Sequence, residues 1–146
     1  MIHNSRGIAA ITSILIIVIL TLLISLAAST SGITEGVVSK YQYQAGQAYA
    51  AAESGAQDAM IRIARNKNYS SAGYYIPSGC SLNTSSKCVK VIVEKDVQSV
   101  CSQTISAGQD CVISTGTLAN KSKTVEVILN VNATSGKLEI VTWNEI

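Results

Sequence analysis

The chain has 146 residues, is 47% hydrophobic but only 14% charged, and contains no Phe and a single Trp. Its formal net charge is +2, with basic residues scattered rather than clustered, which argues against a nucleic-acid footprint. The composition is lopsided for a soluble enzyme, and the lopsidedness has one source: no charged residue occurs from position 8 to position 34.

The chain opens with the short polar head "MIHNSRG", followed by "IAAITSILIIVILTLLISLAA". As a helix, those roughly 20 residues span about 30 Å, the thickness of a bilayer's hydrocarbon core. Three readings compete. A cleaved secretory signal has a shorter apolar core, although "AAS" at 27–29 mimics a cleavage site. A plain signal anchor fits the length. The third reading removes residues 1–7 as a leader and keeps the apolar tail.

The helical pattern continues beyond the apolar segment. Ile33, Val37, Tyr41, Ala45, Ala48, Ala52, Ala56, Ala59 and Ile63 recur at steps of three and four, marking one helix face. Most of this stripe is Ala, which lets another layer approach closely, and it predicts a helix whose second half packs on a sheet. Asp58 and Arg62 stand four apart with the acid first, a supporting helix pair. Gly32 and Gly36 mark the place where a bend or a melted turn is easiest. The helix is expected to end near "RNKNYSS", with Asn66 or Asn68 in the left-handed cap conformation. A helix over 8–66 is about 90 Å long, far more than a small globule needs, so its bare half requires lipid or other copies of itself.

The segment "YSSAGYYIPSGCSLNTSSK", which holds the only Pro, reads as a connecting loop. Alternating runs follow at 88–97, 111–118, 124–131 and 137–143, with "ANKS" and "NATSG" as hairpin turns. Val125, Val127, Leu129 and Val131 form the expected core face, joined by Leu138 and Ile140. Three or four antiparallel strands with one apolar face need a cover, and the Ala stripe supplies it. The expected fold is therefore α+β: a long N-terminal helix with an apolar first half, packed by its second half on a small antiparallel sheet.

Cys80, Cys88, Cys101 and Cys111 all lie past the apolar segment. An even number in a small exported domain reads as two disulfides. A four-thiolate zinc site is disfavoured by the lack of any Cys-x-x-Cys pair. Pairing Cys80 with Cys88 and Cys101 with Cys111 closes two short polar loops; crossed pairing is the alternative.

Three stretches together resemble the type IV pilin family, in its minor-pilin or pilus-assembly branch, which is related to the secretion-system pseudopilins. These are "NSRGIAAITSILIIVILTLL", "AYAAAESGAQDAM" and "ISTGTLANKSKTVEVIL". The resemblance implies a leader over 1–7, a transmembrane or filament-core helix segment over 8–34, the amphipathic half of the same helix over 35–68, and a disulfide-containing β-sheet head over 69–146. It implies cleavage after Gly7 by a prepilin peptidase and methylation of Ile8. The subunit would wait as a single-pass protein of the cytoplasmic (inner) membrane. Assembly machinery would then move it into an extracellular filament whose core is built by Ile8, Thr12, Ile16, Ile19, Leu23 and Leu26. Partners would be pilin subunits of the same or another kind. Glu35 and Glu53 are the candidates for polar contacts between subunits. In most major pilins the fifth residue after the cut is Glu, which pairs with a neighbour's terminal amine; here it is Thr12, which cannot form that ion pair. The tail-bending Pro of many family members is also absent.

Catalysis has little to work with. The only His is His3, no Ser lies in Gly-x-Ser-x-Gly, and the nine acids are spread singly. No enzyme, metal or cofactor is expected. Asn68, Asn83, Asn120 and Asn132 stand in Asn-x-Ser/Thr tripeptides, which arise easily in a Ser/Thr-rich chain. Tyr41 and Tyr43 suit a membrane interface. The rivals to a filament subunit are a monomeric, signal-anchored exported domain that binds a ligand, and a DNA-uptake minor pilin; the near-neutral charge argues against the latter.

Overall fold

A computed structural model of the chain describes residues 5–83, 86–96, 100–132 and 134–146, and for 5–10 and 28–33 the backbone alone. Among these residues the protein is α+β, with one helix followed by a five-stranded antiparallel sheet. Helix α1 (Ser5–Arg65) precedes strands β1 (Ser71–Ile76), β2 (Cys88–Lys95), β3 (Gln109–Leu118), β4 (Lys121–Val131) and β5 (Leu138–Glu145). The strands form a meander in the order β1-β2-β3-β4-β5. By its internal contacts the chain divides into Met1–Tyr41 and Gln42–Ile146.

Within the second unit, the core lies between α1 and one face of the sheet. Ala51, Ala52, Ala56, Ala59 and Ile63 pack with Val89, Val91 and Val93 of β2, Val112 of β3, and Val125, Val127 and Leu129 of β4. The cross-strand register puts these side chains on one face: Val93 opposes Val112, which opposes Val127, and Val91 opposes Ser114, which opposes Val125. The Ala stripe lets the helix sit close. At Gly116 a Cβ would collide with the Ala48 carbonyl and the Ala52 amide, and at Gly55 it would strike Ser114, Val89 and Val91. Two glycines therefore set the distance between the layers.

Several expectations are corrected. The buried stripe begins at Ala48: Ala45 is half-buried and Tyr41 is 51% exposed. Helical periodicity reports which face is apolar, not how far a cover reaches. No turn of α1 melts at Gly32 or Gly36, both of which lie inside the helix. Neither Asn66 nor Asn68 adopts a positive φ. The helix instead ends in an Asx turn, with the Asn68 amide donating to Asn66 Oδ1 at 3.1 Å and the Tyr69 amide to the Asn66 carbonyl at 2.8 Å. Arg62 and Arg65 occupy the last turn, where the helix dipole favours cations.

The segment after Tyr69 is not all loop: it contains β1, so the sheet has five strands rather than three or four. A register irregularity between Ser71 and Tyr74 breaks the alternation that would have revealed it. The "ANKS" turn is a two-residue hairpin in which Ala119 and Asn120 both take left-handed φ, 50° and 64°. Ile140 opposes Leu129, yet it is 52% exposed, because β5 is an edge strand with a bulge opposite Ile128 and Leu129. Val131 and Leu138 are only partly buried against the core.

The second face of the sheet is also not purely polar. Cys88, Cys111, Ile113, Thr117, Glu126 and Ile128 alternate with the core residues and are buried. The disulfides Cys80–Cys88 and Cys101–Cys111 tether adjoining loops to strands β2 and β3. The sheet thus has two covered faces, and the cystine loops serve the second.

The close approach predicts an asymmetry among glycines. Gly116→Ala is expected to cost about 2 kcal/mol or more through overpacking against backbone. Gly46→Ala, where a Cβ meets nothing within 4 Å, is expected to stabilise the helix by up to about 1 kcal/mol. Thermal unfolding of the two variants beside the parent checks the opposite signs.

Candidate functional site

The first candidate site is the N-terminal unit itself. Every large hydrophobic residue described from position 11 to position 26 is between 48% and 69% exposed, including Ile16, Ile19, Leu23 and Leu26. Apolar side chains point outward all round, a pattern found where a helix is buried on every side by something else. The few polar groups are satisfied along the helix: Thr21 Oγ1 donates to the Val18 carbonyl at 2.9 Å, and Ser25 Oγ to the Thr21 carbonyl at 2.8 Å. Hydroxyls bonded back to their own helix carry little desolvation penalty into an apolar medium. Thr12 lies on this exposed surface. Among the described residues, no helix is long and apolar enough to cross a membrane. The expected span also includes Ile8, Ala9, Ala10 and Ala28, whose side chains lie outside the described residues, as does any side-chain environment at the Gly7–Ile8 junction. Glu35 is exposed and Glu53 half-buried.

In the head, a clamp ties β1 to the helix. Arg62 Nε donates to Asp58 Oδ2 at 2.7 Å, the pairing expected from their spacing, and the Tyr74 hydroxyl donates to the same oxygen at 2.7 Å. The Arg62 guanidinium lies 4.4 Å from the Tyr74 ring centroid and 5.9 Å from that of Tyr69, and the two rings meet edge to face. Burial works against the Asp58 charge, but the bonds from Tyr74 and Arg62 outweigh it and hold the carboxyl below its ordinary pKa. Burial and the bond to Asp58 push the Tyr74 phenol well up.

Two buried acids occupy opposite faces of the sheet. Glu126, fully buried on the second face, accepts from the Ser102 amide at 2.7 Å and from Ser102 Oγ at 2.8 and 2.9 Å. It thereby anchors the loop that Cys101 also tethers. Asp110 lies on the core face beside Leu129, and neither carboxylate oxygen has a hydrogen-bond partner among the described residues. Burial pushes its pKa up to about 6; Lys95 opposes the shift and Asp96 adds to it.

Sequence reasoning brought the Cys residues and the Asp58–Arg62 pair to notice and placed Tyr74 only in a loose aromatic series, and it missed Glu126 and Asp110. Glu126 interrupts the run "TVEVILNV" at a position that reads as solvent-facing. Asp110 sits at the edge of its strand with no local signal. Among the described residues, no group of His, Cys, Asp and Glu is arranged to hold a metal ion. No family model matches the sequence, and no curated protein or solved structure shows a significant likeness to it.

Two outcomes follow from the buried acids. A folded-state pKa raised from 3.8 to about 6 means the folded protein binds the proton more tightly than the unfolded chain. The associated stability is fully present below about pH 4 and is lost as pH rises through about 6, a change on the order of 3 kcal/mol. Asp110→Asn is expected to flatten that slope and to stabilise the protein at pH 7.5, measured by denaturant unfolding across pH 4–8. Glu126→Ala leaves the Ser102 donors unsatisfied and is expected to destabilise by about 2–4 kcal/mol in the same assay.

Proposed function

We propose that the protein is a structural subunit of an extracellular, type IV pilus-like filament that polymerises through its apolar N-terminal helix. The observation that carries this reading is the outward exposure of every large apolar side chain described from position 11 to position 26. A helix of that kind needs apolar surroundings on all sides. Lipid tails are about as apolar as Leu, so moving the helix from a bilayer into a bundle of its own kind loses little hydrophobic stabilisation. Packing among many helices then holds the rod together. Ile16, Ile19, Leu23 and Leu26 would lie in that bundle, and the β-sheet head would form the outer surface.

In this reading residues 1–7 are a leader removed after Gly7, Ile8 becomes the methylated terminus, and the subunit occupies the cytoplasmic (inner) membrane before assembly. Prepilin peptidase and the pilus assembly machinery are its partners, with no cofactor and no catalytic role. The exposed Thr12 favours a minor subunit, because a hydroxyl cannot pair with a neighbour's terminal amine as a carboxylate does. Glu35 and Glu53 are available for contacts between subunits. A secretion-system pseudopilin is the nearest variant, and a monomeric signal-anchored domain is the rival from another class.

Mass spectrometry of the protein recovered from sheared surface filaments tests the reading. A species beginning at Ile8 with one added methyl is expected, and it should disappear from the sheared fraction when Leu23→Arg places a charge worth about 3 kcal/mol in the apolar helix. An intact leader on a protein that never enters the sheared fraction contradicts the proposal.

A further inference from the structure

The core of the head ends beside the turn that follows α1, in a cavity of about 410 Å³ whose lining includes Lys67, Asn68, Lys95, Asp96, Gly108 and Asp110. Lys95 on β2 and Asp110 on β3 are direct cross-strand partners, so their side chains leave the same face of the sheet about 5 Å apart at Cβ. Yet the two are not bonded. The Lys95 ammonium donates to Asn68 Oδ1 at 2.8 Å, while both Asp110 oxygens are buried with no donor.

Asn68 belongs to the turn that joins α1 to β1, so Lys95 ties that turn to the sheet. The same ammonium has a second acceptor within reach. A neutral amide suffices while Asp110 is protonated. An ionised carboxylate buried without a donor costs several kcal/mol, and a charge-assisted bond is roughly twice as strong as one to a neutral group. We propose that Lys95 is a latch with two positions, on Asn68 while Asp110 carries its proton and on the Asp110 carboxylate once that proton is lost to solvent, so that deprotonation releases the turn between α1 and β1 from the sheet.

The other groups around Asp110 set where the exchange falls. Lys95, at the end of β2, favours ionisation, and Asp96, the next residue, disfavours it; the Asp96 carboxylate accepts from the Gly108 amide at 2.6 Å, which keeps it in place. From the turn after α1, Lys67 adds positive charge to the cavity lining. Among the described residues, the segment before β3 lines the cavity with Ala107 and Gly108, and β4 supplies Leu129 and Val131, none of which titrates in the side chain. Burial outweighs Lys95 and, with Asp96, brings the Asp110 pKa to about 6, so the latch operates in mildly acidic surroundings.

The test is amide hydrogen exchange of the full chain in detergent micelles from pH 5 to 8, corrected for intrinsic rates and read at residues 66–70. In the parent, protection of the Asn68 and Tyr69 amides is expected to fall about tenfold as pH rises through about 6. Asp110→Asn should hold the latch on Asn68 and remove the change, and Lys95→Met should leave the turn poorly protected throughout. An unchanged pH profile in Asp110→Asn, or a flat one in the parent, overturns the proposal. Should the variants fold poorly, NMR of the parent decides alone. The Asp110 carboxyl carbon and the Asn68 side-chain amide must titrate with one midpoint, and separate midpoints contradict the latch.

Discussion

The head depends on one geometric constraint, the short distance between α1 and the sheet. An Ala face, with Gly55 on the helix and Gly116 on β3, brings backbone nearly against backbone. Small side chains bury little apolar area each, so the layer gains its stability from contact density rather than from bulk. Val is accordingly the main residue on the sheet side, since a short branched side chain fills a thin gap on a pleated surface. The same thinness explains why β1 needs a separate attachment. It lies at the sheet edge, and the Asp58–Arg62–Tyr74 clamp adds polar and ring contacts to the packing of Tyr74 and Ile76 against the core.

Two disulfides and two buried acids complete the head on its two faces. Glu126 and Cys111 hold the Cys101 loop on the second face, and Asp110 ends the core on the first. Their situations differ in one respect. Glu126 is supplied with donors by Ser102; Asp110 has none and is better kept neutral. Lys95 stands directly across the strand pair from Asp110.

How much of this was legible in the sequence follows the range of the physics involved. The stripe from Ala48 to Ile63 and the alternation in β2 and β4 are local periodic signals, and both could be read. Strand β1 could not, because its irregularity and its Ser/Gly surroundings break the period. Nor could the end of cover at Ala48, the exposure of Ile140 or the burial of Glu126, since each depends on what lies opposite in space. The Cys spacing indicated two short closed loops but not the sheet face they cover. Asp110 carried no signal at all: its partnerless state arises from Lys95 choosing an acceptor far away along the chain. The exposed apolar surface at 11–26 was legible as composition, whereas what surrounds it is not written in a local pattern.

The central proposal is that sibling helices bury the apolar helix. All four native cysteines are paired, so chemical probes introduced elsewhere report without interference. The most direct measurement is photo-cross-linking in intact cells from a reactive residue placed at Leu23. The account predicts a ladder of species at successive multiples of the subunit mass. Adducts with phospholipid alone, and no covalently joined copies, would contradict it.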